Sequence, residues 1–366
     1  MKHLKIAYTY TIGALRWLRD ALGLFWKRGL WQKLFIVLIA ALVGLMVVMY
    51  GISRWYTASV ADQPREYGVT FIADYARSLG LDADETLDAI IFDLDIDRLR
   101  LVSYWNKIEA TEGNYDFSEL DAQFAKAETA GLDVSLTIGL RQPRWPECHV
   151  PDWVNLDKPE LWEPKLEAFL AAVVSRYEHS PSLDSWQLEN EYFLDAFGEC
   201  PIPNRDRLQR EYDLVKQLDA AHPIVMSRKN NYPAIALRGP LPDQVGVSVY
   251  RRVWDGNFTK RYFTYPLPAW YYGAVAGVQK IFTGRESVLH EMQMEPWPAA
   301  GQFVRDATLD EQDKSFKAED FESRVKFAEN TGLRTIDFWG AEWWYWRMIE
   351  KGDPSFWNEA KEHLDG

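Results

Sequence analysis

Eight short runs rich in β-branched and apolar residues, spread over residues 66–366 with helical patterns between several of them, constrain this chain most. They are Gly68–Ile72, Arg98–Tyr104, Asp133–Ile138, Ser185–Leu188, Pro223–Ser227, Val245–Tyr250, Ser287–Glu291 and Arg334–Trp339. Amphipathic stretches at helical period occupy Phe117–Ala130, Leu161–Tyr177, Arg205–Ala221 and Ala318–Thr331. Asp116 or Ser118 offers a cap to the first of these helices, and Gly131 and Gly332 give exit signals. Strands that alternate with helices pair in parallel, because the crossover between parallel neighbours needs the length of a helix. Eight of them fit a closed (β/α)8 barrel better than an open doubly wound sheet. No glycine-rich phosphate loop follows the first run, which argues against a nucleotide-binding sheet. With no internal repeat or low-complexity linker, residues 66–366 read as one barrel domain.

In such a barrel the chemistry collects where the strands end. The second run exits into Tyr104-Trp105-Asn106 and the third into GLRQPRWPECHVPDW, Gly139–Trp153. The fourth exits through Glu189-Asn190-Glu191-Tyr192 and the sixth through Tyr250-Arg251-Arg252. The seventh leads into HEMQMEPW, His290–Trp297, and the eighth into FWGAEWWYW, Phe338–Trp346. Polar and aromatic side chains therefore crowd one end.

Breaking a glycosidic bond takes two carboxyl groups flanking the anomeric carbon, one to protonate the leaving oxygen and one to attack or to activate water. Glu191 after the fourth run and Glu291 in the seventh stand nearly across a barrel from each other and meet that requirement. Glu189 competes with Glu191 for the acid, and Glu295 competes with Glu291. Glu342 reads as a loop or substrate-binding carboxylate. His149 and His290 are either hydrogen-bonded structural residues or substrate contacts; Trp145, Trp297 and Trp343 are either sugar platforms or packing.

As an ordered set of short motifs, residues 66–366 resemble clan A of the glycoside hydrolases, the (β/α)8 retaining enzymes with cellulase-like and β-galactosidase-like members. RLRLVSYWNKIEATEGNYDFSELD, Arg98 to Asp121, is similar to the second-strand region of that clan; the resemblance makes Arg100 the support of the nucleophile. WQLENEYF, Trp186 to Phe193, is similar to the fourth-strand motif, which makes Asn190 the reader of the sugar 2-hydroxyl and Glu191 the acid/base. HEMQMEPW is similar to the seventh-strand motif and makes Glu291 the nucleophile. Tyr250 corresponds to the tyrosine that hydrogen-bonds the nucleophile, and Trp339 to the tryptophan beneath the reacting sugar. Trp105, His149, Trp145 and Glu189 complete the expected substrate-binding and supporting set. The third-run loop with Trp145, Glu147 and His149 is assigned to no signature, and the motifs do not place the chain in one family. The implied activity is double displacement on β-linked oligo- or polysaccharide, with a carboxyl separation of about 5–5.5 Å. Alternatives on the same fold are a membrane-tethered transglycosylase and a non-catalytic carbohydrate-binding or assembly protein.

Leu34 to Ile52, LFIVLIAALVGLMVVMYGI, carries no charge over nineteen residues. At about 1.5 Å per residue it reaches roughly 28 Å, a bilayer core. Residues 1–54 hold eight basic residues against Asp20, a net of +7, so the remainder of a chain of net −13 carries −20. Positive charge before the apolar run places the N-terminus in the cytoplasm and the barrel outside the inner membrane, periplasmic or extracellular. The expected organisation is a basic segment 1–32, an anchor 33–53, a linker 54–65 and the barrel. Residues 6–30 suit an interfacial helix. A signal peptide cleaved near Ala58-Ser59-Val60-Ala61 is the competing reading. An acidic body argues against nucleic acid as partner, and 17 tryptophans suit either an aromatic core or sugar stacking.

The two cysteines, Cys148 and Cys200, have no partner at metal-ligand spacing, so no metal or other cofactor is expected. The barrel places them on neighbouring loops at one end, where a disulfide would brace the rim. Asn257-Phe258-Thr259 is a glycosylation sequon.

Overall fold

The computed structural model of the chain describes Gly23 and residues 29–194, 197–227, 231, 240–256, 258–299 and 302–364. Nearly all of the helix expected over 6–30, and Asn257 of the sequon, lie outside the described residues. The chain divides into two units, Met1–Gly51 and Ile52–Gly366.

An apolar helix, Leu30–Ser59, contains the uncharged run. Among the described residues it is the one helix long and apolar enough to cross a membrane. Its large side chains from Leu34 to Val48 are mostly exposed, including Phe35, Leu38, Leu42 and Met46.

Eight parallel strands close a barrel in the second unit. In chain order they are β1 (Glu66–Thr70), β2 (Arg98–Val102), β3 (Asp133–Ile138), β4 (Leu183–Leu188), β5 (Ile224–Ser227), β6 (Gln244–Val249), β9 (Glu286–Gln293) and β10 (Thr335–Trp339). β7 (Arg252–Asp255) and β8 (Arg261–Thr264) form a separate antiparallel hairpin between β6 and β9. β1 pairs with both β2 and β10, which closes the ring. Each expected run matches its barrel strand to within two residues at either end. The strands are buried almost throughout, as parallel strands must be when helices cover their outer side. The hairpin was not expected; its strands are four residues each and partly exposed, so no buried run announces them.

The helix expected at Phe117 runs Ser118–Ala130, with the Asp116 side chain accepting the Ser118 amide. Gly131 ends it in the left-handed conformation. Beyond β10 the run expected to face the cleft instead forms a helix, Ala341–Lys351, whose Trp343, Trp344 and Trp346 are core residues.

Residues 52–61 belong to the barrel domain, although the sequence reads 54–65 as linker. Ser53 and Tyr56 are buried. Arg334 donates from Nε to the Val60 carbonyl at 2.8 Å and from Nη2 to Ala61 at 2.7 Å. Glycines make room for this segment: a Cβ on Gly273 would lie 2.7 Å from Ser53 Oγ, and one on Gly277 would lie 2.7 Å from Ile52 Cγ2.

Candidate active site

The site begins with an irregularity in β9. Val247 pairs with Leu289 but Ser248 pairs with Glu291, and on the other side Ile336 pairs with Leu289 but Phe338 with Met292. β9 thus carries one extra residue. Strict alternation would send His290 and Glu291 to opposite faces; a bulge re-aims side chains. Here both reach barrel residues: Glu291 meets Arg100 and Tyr250, and His290 meets Ser248.

Arg100 on β2 is fully buried and organises the floor. Its Nη1 donates to Glu291 Oε1 at 2.9 Å, to the His290 carbonyl at 3.1 Å and to Thr70 Oγ1 at 3.3 Å. Nε donates to Gln187 Oε1 at 2.6 Å and Nη2 to Asn190 Oδ1 at 3.1 Å. Only a planar fork of fixed donors can satisfy these partners at once. Tyr250 donates its hydroxyl to Glu291 Oε2 at 2.9 Å. Burial and the Glu291 charge push that phenol far above its usual range, so it keeps its proton and stays a donor.

Glu191 lies just beyond β4 with a left-handed φ of 43°, where a residue with a Cβ is strained. Its amide donates to Ser227 Oγ at 2.9 Å, and its Oε1 accepts from Ser248 Oγ at 2.7 Å. Burial first, then the charge of Glu291, push its carboxyl up to about 8. Glu291 lies in a salt bridge to Arg100, while no ion pair reaches Glu191 among the described residues. The two carboxylates are buried alike and paired differently.

Asn190, also beyond β4, receives Arg100 and Gln187 on Oδ1 and donates from Nδ2 to Glu147 Oε2 at 3.2 Å. Glu147 is a third buried carboxylate at the site, 3.6 Å from Arg141, and burial pushes it up to about 7. The residue after it, Cys148, is disulfide-bonded to Cys200, with Cα atoms 5.3 Å apart. The bridge joins the loops after β3 and β4, as expected.

The remaining sequence-predicted residues divide. Trp145 is 51% exposed on the rim, edge-on to Phe197. Trp339 is buried; its indole N–H donates to Glu295 Oε1 at 2.7 Å, and the Arg144 guanidinium lies 4.4 Å from its ring centroid. Glu295 also accepts from Tyr75 and Arg144, so both its oxygens are engaged. Glu342 accepts the Ile72 amide at 2.6 Å. Trp297 packs edge-on against Tyr250.

Two expected substrate contacts, Trp105 and His149, are buried, and the choice left open for Trp343 falls to packing. Trp105 is in the core with its indole N–H on Glu109 at 2.7 Å, so no face is left for a sugar. Trp343 is likewise a core residue, donating to Gln312. His149 is stacked on Tyr104 with ring centroids 3.4 Å apart, and burial pushes it down to about 4, so it is a neutral packing residue. Glu189 accepts the amides of Leu140 and Arg141 at 2.9 and 2.8 Å and stands 3.6 Å from Arg207.

Sequence reasoning passed over Ser227, Ser248, Gln187 and Arg144, and left Glu147 without a role. For Ser248 a signal existed, since it precedes Tyr250 by two residues in an otherwise apolar strand and therefore shares its face. Arg144 and Glu147 carried none; their direction depends on left-handed φ values of 79° and 71° within the loop. Among the described residues no group of three or more His, Cys, Asp or Glu could hold a metal ion.

The fold is a closed (β/α)8 barrel, and buried glutamates, Glu191 and Glu291, stand at the ends of its fourth and seventh barrel strands. Solved structures with this fold include a family 10 endo-β-1,4-xylanase from Gloeophyllum trabeum (TM-score 0.55, 14% identity, covering 84% of this chain and 98% of that one). Another is a family 5, subfamily 18 enzyme from Streptomyces cattleya in complex with Manβ1-4GlcNAc (TM-score 0.53, 15% identity, 76% and 71%). Xylanase 10B from Thermotoga maritima is similar too (TM-score 0.51, 16% identity, 82% and 95%). In sequence, the chain is 26% identical to the β-galactosidases BgaB of Geobacillus sp. (strain Y412MC61) and bgaB of Geobacillus kaustophilus. The match spans 31% of this chain and only a fifth of the length of those relatives, 20%. No family profile matches the chain.

Proposed function

We propose that this chain is a membrane-anchored retaining glycoside hydrolase that cleaves β-glycosidic bonds in an oligo- or polysaccharide. The observation that carries the reading is the unequal pairing of two buried carboxylates: Glu291 is held by Arg100 and Tyr250, while Glu191 is pushed up to about 8. A nucleophile needs its charge and a general acid needs its proton at the same pH, and environments that push two carboxyls apart supply both. Glu291 attacks the anomeric carbon while Glu191 protonates the departing oxygen; Glu191 then takes a proton from the water that releases the sugar. Asn190, fixed by Arg100 and Gln187, has a second amide proton to offer a sugar hydroxyl. The sugar complexes and xylanase activities of the similar structures support a β-linked glycan as substrate class.

The reading keeps a basic segment over 1–32, an anchor over 33–53 and catalysis within 66–366, with the barrel outside the inner membrane and the N-terminus in the cytoplasm. A retained anchor is favoured over a cleaved signal because cleavage near Ala58–Ala61 would remove Ser53 and Tyr56 from the domain into which they are buried.

The test is a panel of aryl β-glycosides and polysaccharides given to wild type, Glu191→Ala and Glu291→Ala, followed by trapping with 2-deoxy-2-fluoro glycosides. The expected result is turnover by wild type alone and a covalent adduct on the peptide holding Glu291. A wild type inactive across the panel would favour a binding protein, and an adduct on Glu295 would reassign the nucleophile.

A further inference from the structure

We propose that Ser248 is a positioning residue that reserves one oxygen of Glu191 for proton transfer, and that a neutral His290 holds Ser248 in that role. The proposal rests on Glu191 being the acid/base of the site. Ser248 Oγ lies 2.7 Å from Glu191 Oε1 and 3.3 Å from His290 Nε2. A serine hydroxyl has one proton to give and lone pairs to receive. His290 is buried next to the Arg100 guanidinium, and both effects keep its ring uncharged. With the ring proton on Nε2, His290 donates to Ser248 Oγ, and the serine proton is left with Glu191 Oε1 as its acceptor. Nδ1 of His290 has no partner among the described residues, so a proton there would be a buried donor without an acceptor.

The consequence is directional. Oε1 already accepts a hydrogen bond, so the transferable proton of Glu191 resides on Oε2. In the first step that proton passes from Oε2 to the glycosidic oxygen as its bond to the anomeric carbon breaks and the Glu291 carboxylate forms the new one. In the second step Oε2 takes a proton from water as the water oxygen attacks and the bond to Glu291 breaks. The protons of Ser248 and His290 end where they began.

Two features of the fold serve this arrangement. The bulge in β9 brings His290 inward beside Glu291 instead of leaving it outside the barrel. Gly246 makes room for the ring, since a Cβ there would sit 3.0 Å from His290 Cδ2 and 3.1 Å from Nε2.

The test is a carboxyl titration by NMR of the detergent-solubilised full chain labelled with [δ-13C]glutamate, in which the resonance missing from Glu191→Gln reports Glu191. Losing one hydrogen bond to the ionised form raises its pKa, so Ser248→Ala should shift the titration up by roughly one unit. Ser248→Thr, which keeps the hydroxyl, should restore it, and His290→Leu should shift it part of the way. With active enzyme, Ser248→Ala should slow kcat/KM on glycosides of poor leaving groups more than on dinitrophenyl glycosides, which need little acid help. A Ser248→Ala titration that superposes on wild type overturns the proposal, as does a shift that threonine fails to reverse; an unshifted His290→Leu overturns the histidine's part. The titration needs no turnover, so an inactive wild type would sink the glycosidase reading while this hydrogen bond is still decided.

Discussion

Glu189 and Glu191, two residues apart, turn to different partners: Glu189 ties down the amides of Leu140 and Arg141 in the loop after β3, while Glu191 meets Ser248 on β6, two strands along the barrel. Removing them should therefore have opposite effects. Glu189→Ala leaves two buried amides unpaired and Arg207 with one fewer carboxylate, a loss of about 2–4 kcal/mol. Glu191→Gln relieves a buried carboxylate near Glu291 and should unfold at the wild-type temperature or above it, without activity. Thermal unfolding of both variants checks this; a stabilised Glu189→Ala would contradict it.

Stability should fall as pH rises through the neutral range. Glu191 is raised from 4.5 to about 8, and Glu147 and Glu342 to about 7. Between pH 4.5 and 8 the folded chain therefore holds protons that the unfolded chain has released, and folding weakens with each step upward. Glu191→Gln should flatten the upper part of that curve. Denaturant midpoints at pH 5, 6.5 and 8 measure it, and a wild type that gains stability over this range would exclude the assignment. In kcat/KM the same group should set the alkaline limb near pH 8.

Arg100→Met strands Glu291 in the barrel without its cation and frees the acceptors of Gln187 and Asn190. Breaking one half of a buried pair costs about 3–5 kcal/mol. Arg100→Lys keeps a charge but not the fork, so it should fold and lose most of kcat. Calorimetry alongside kinetics separates the two effects.

The Cys148–Cys200 bridge closes 52 residues of chain, and its chain-entropy contribution is about 4 kcal/mol. Reduction, or the double alanine variant, should lower Tm. Because Cys148 follows Glu147, which accepts from Asn190, KM should rise as well. A reduced protein with unchanged Tm and KM would show that the bridge braces nothing.

Gly273→Leu forces a side chain where a Cβ already collides with the Thr331 carbonyl and lies 2.7 Å from Ser53 Oγ. The substitution should destabilise the domain and expose 52–61 to protease; equal protease resistance would count against that segment's being part of the fold.

The sequence by itself determined the eight strands and the barrel they close, because burial imposes a period that a single chain displays; Arg100, Asn190, Glu191, Tyr250 and Glu291 were singled out by the resemblance of the motifs at the strand ends. It also carried the apolar helix and the pairing of Cys148 with Cys200, since loops of neighbouring strands share an end. Only the tertiary structure decided that Trp105, His149 and Trp343 are packing residues, because aromatic composition does not say which faces remain open. The bulge that turns His290 inward is set by the register with β6 and β10, and the directions of Arg144 and Glu147 by backbone angles within the loop. Those are contacts between strands and turns far apart in sequence, and no local pattern encodes them.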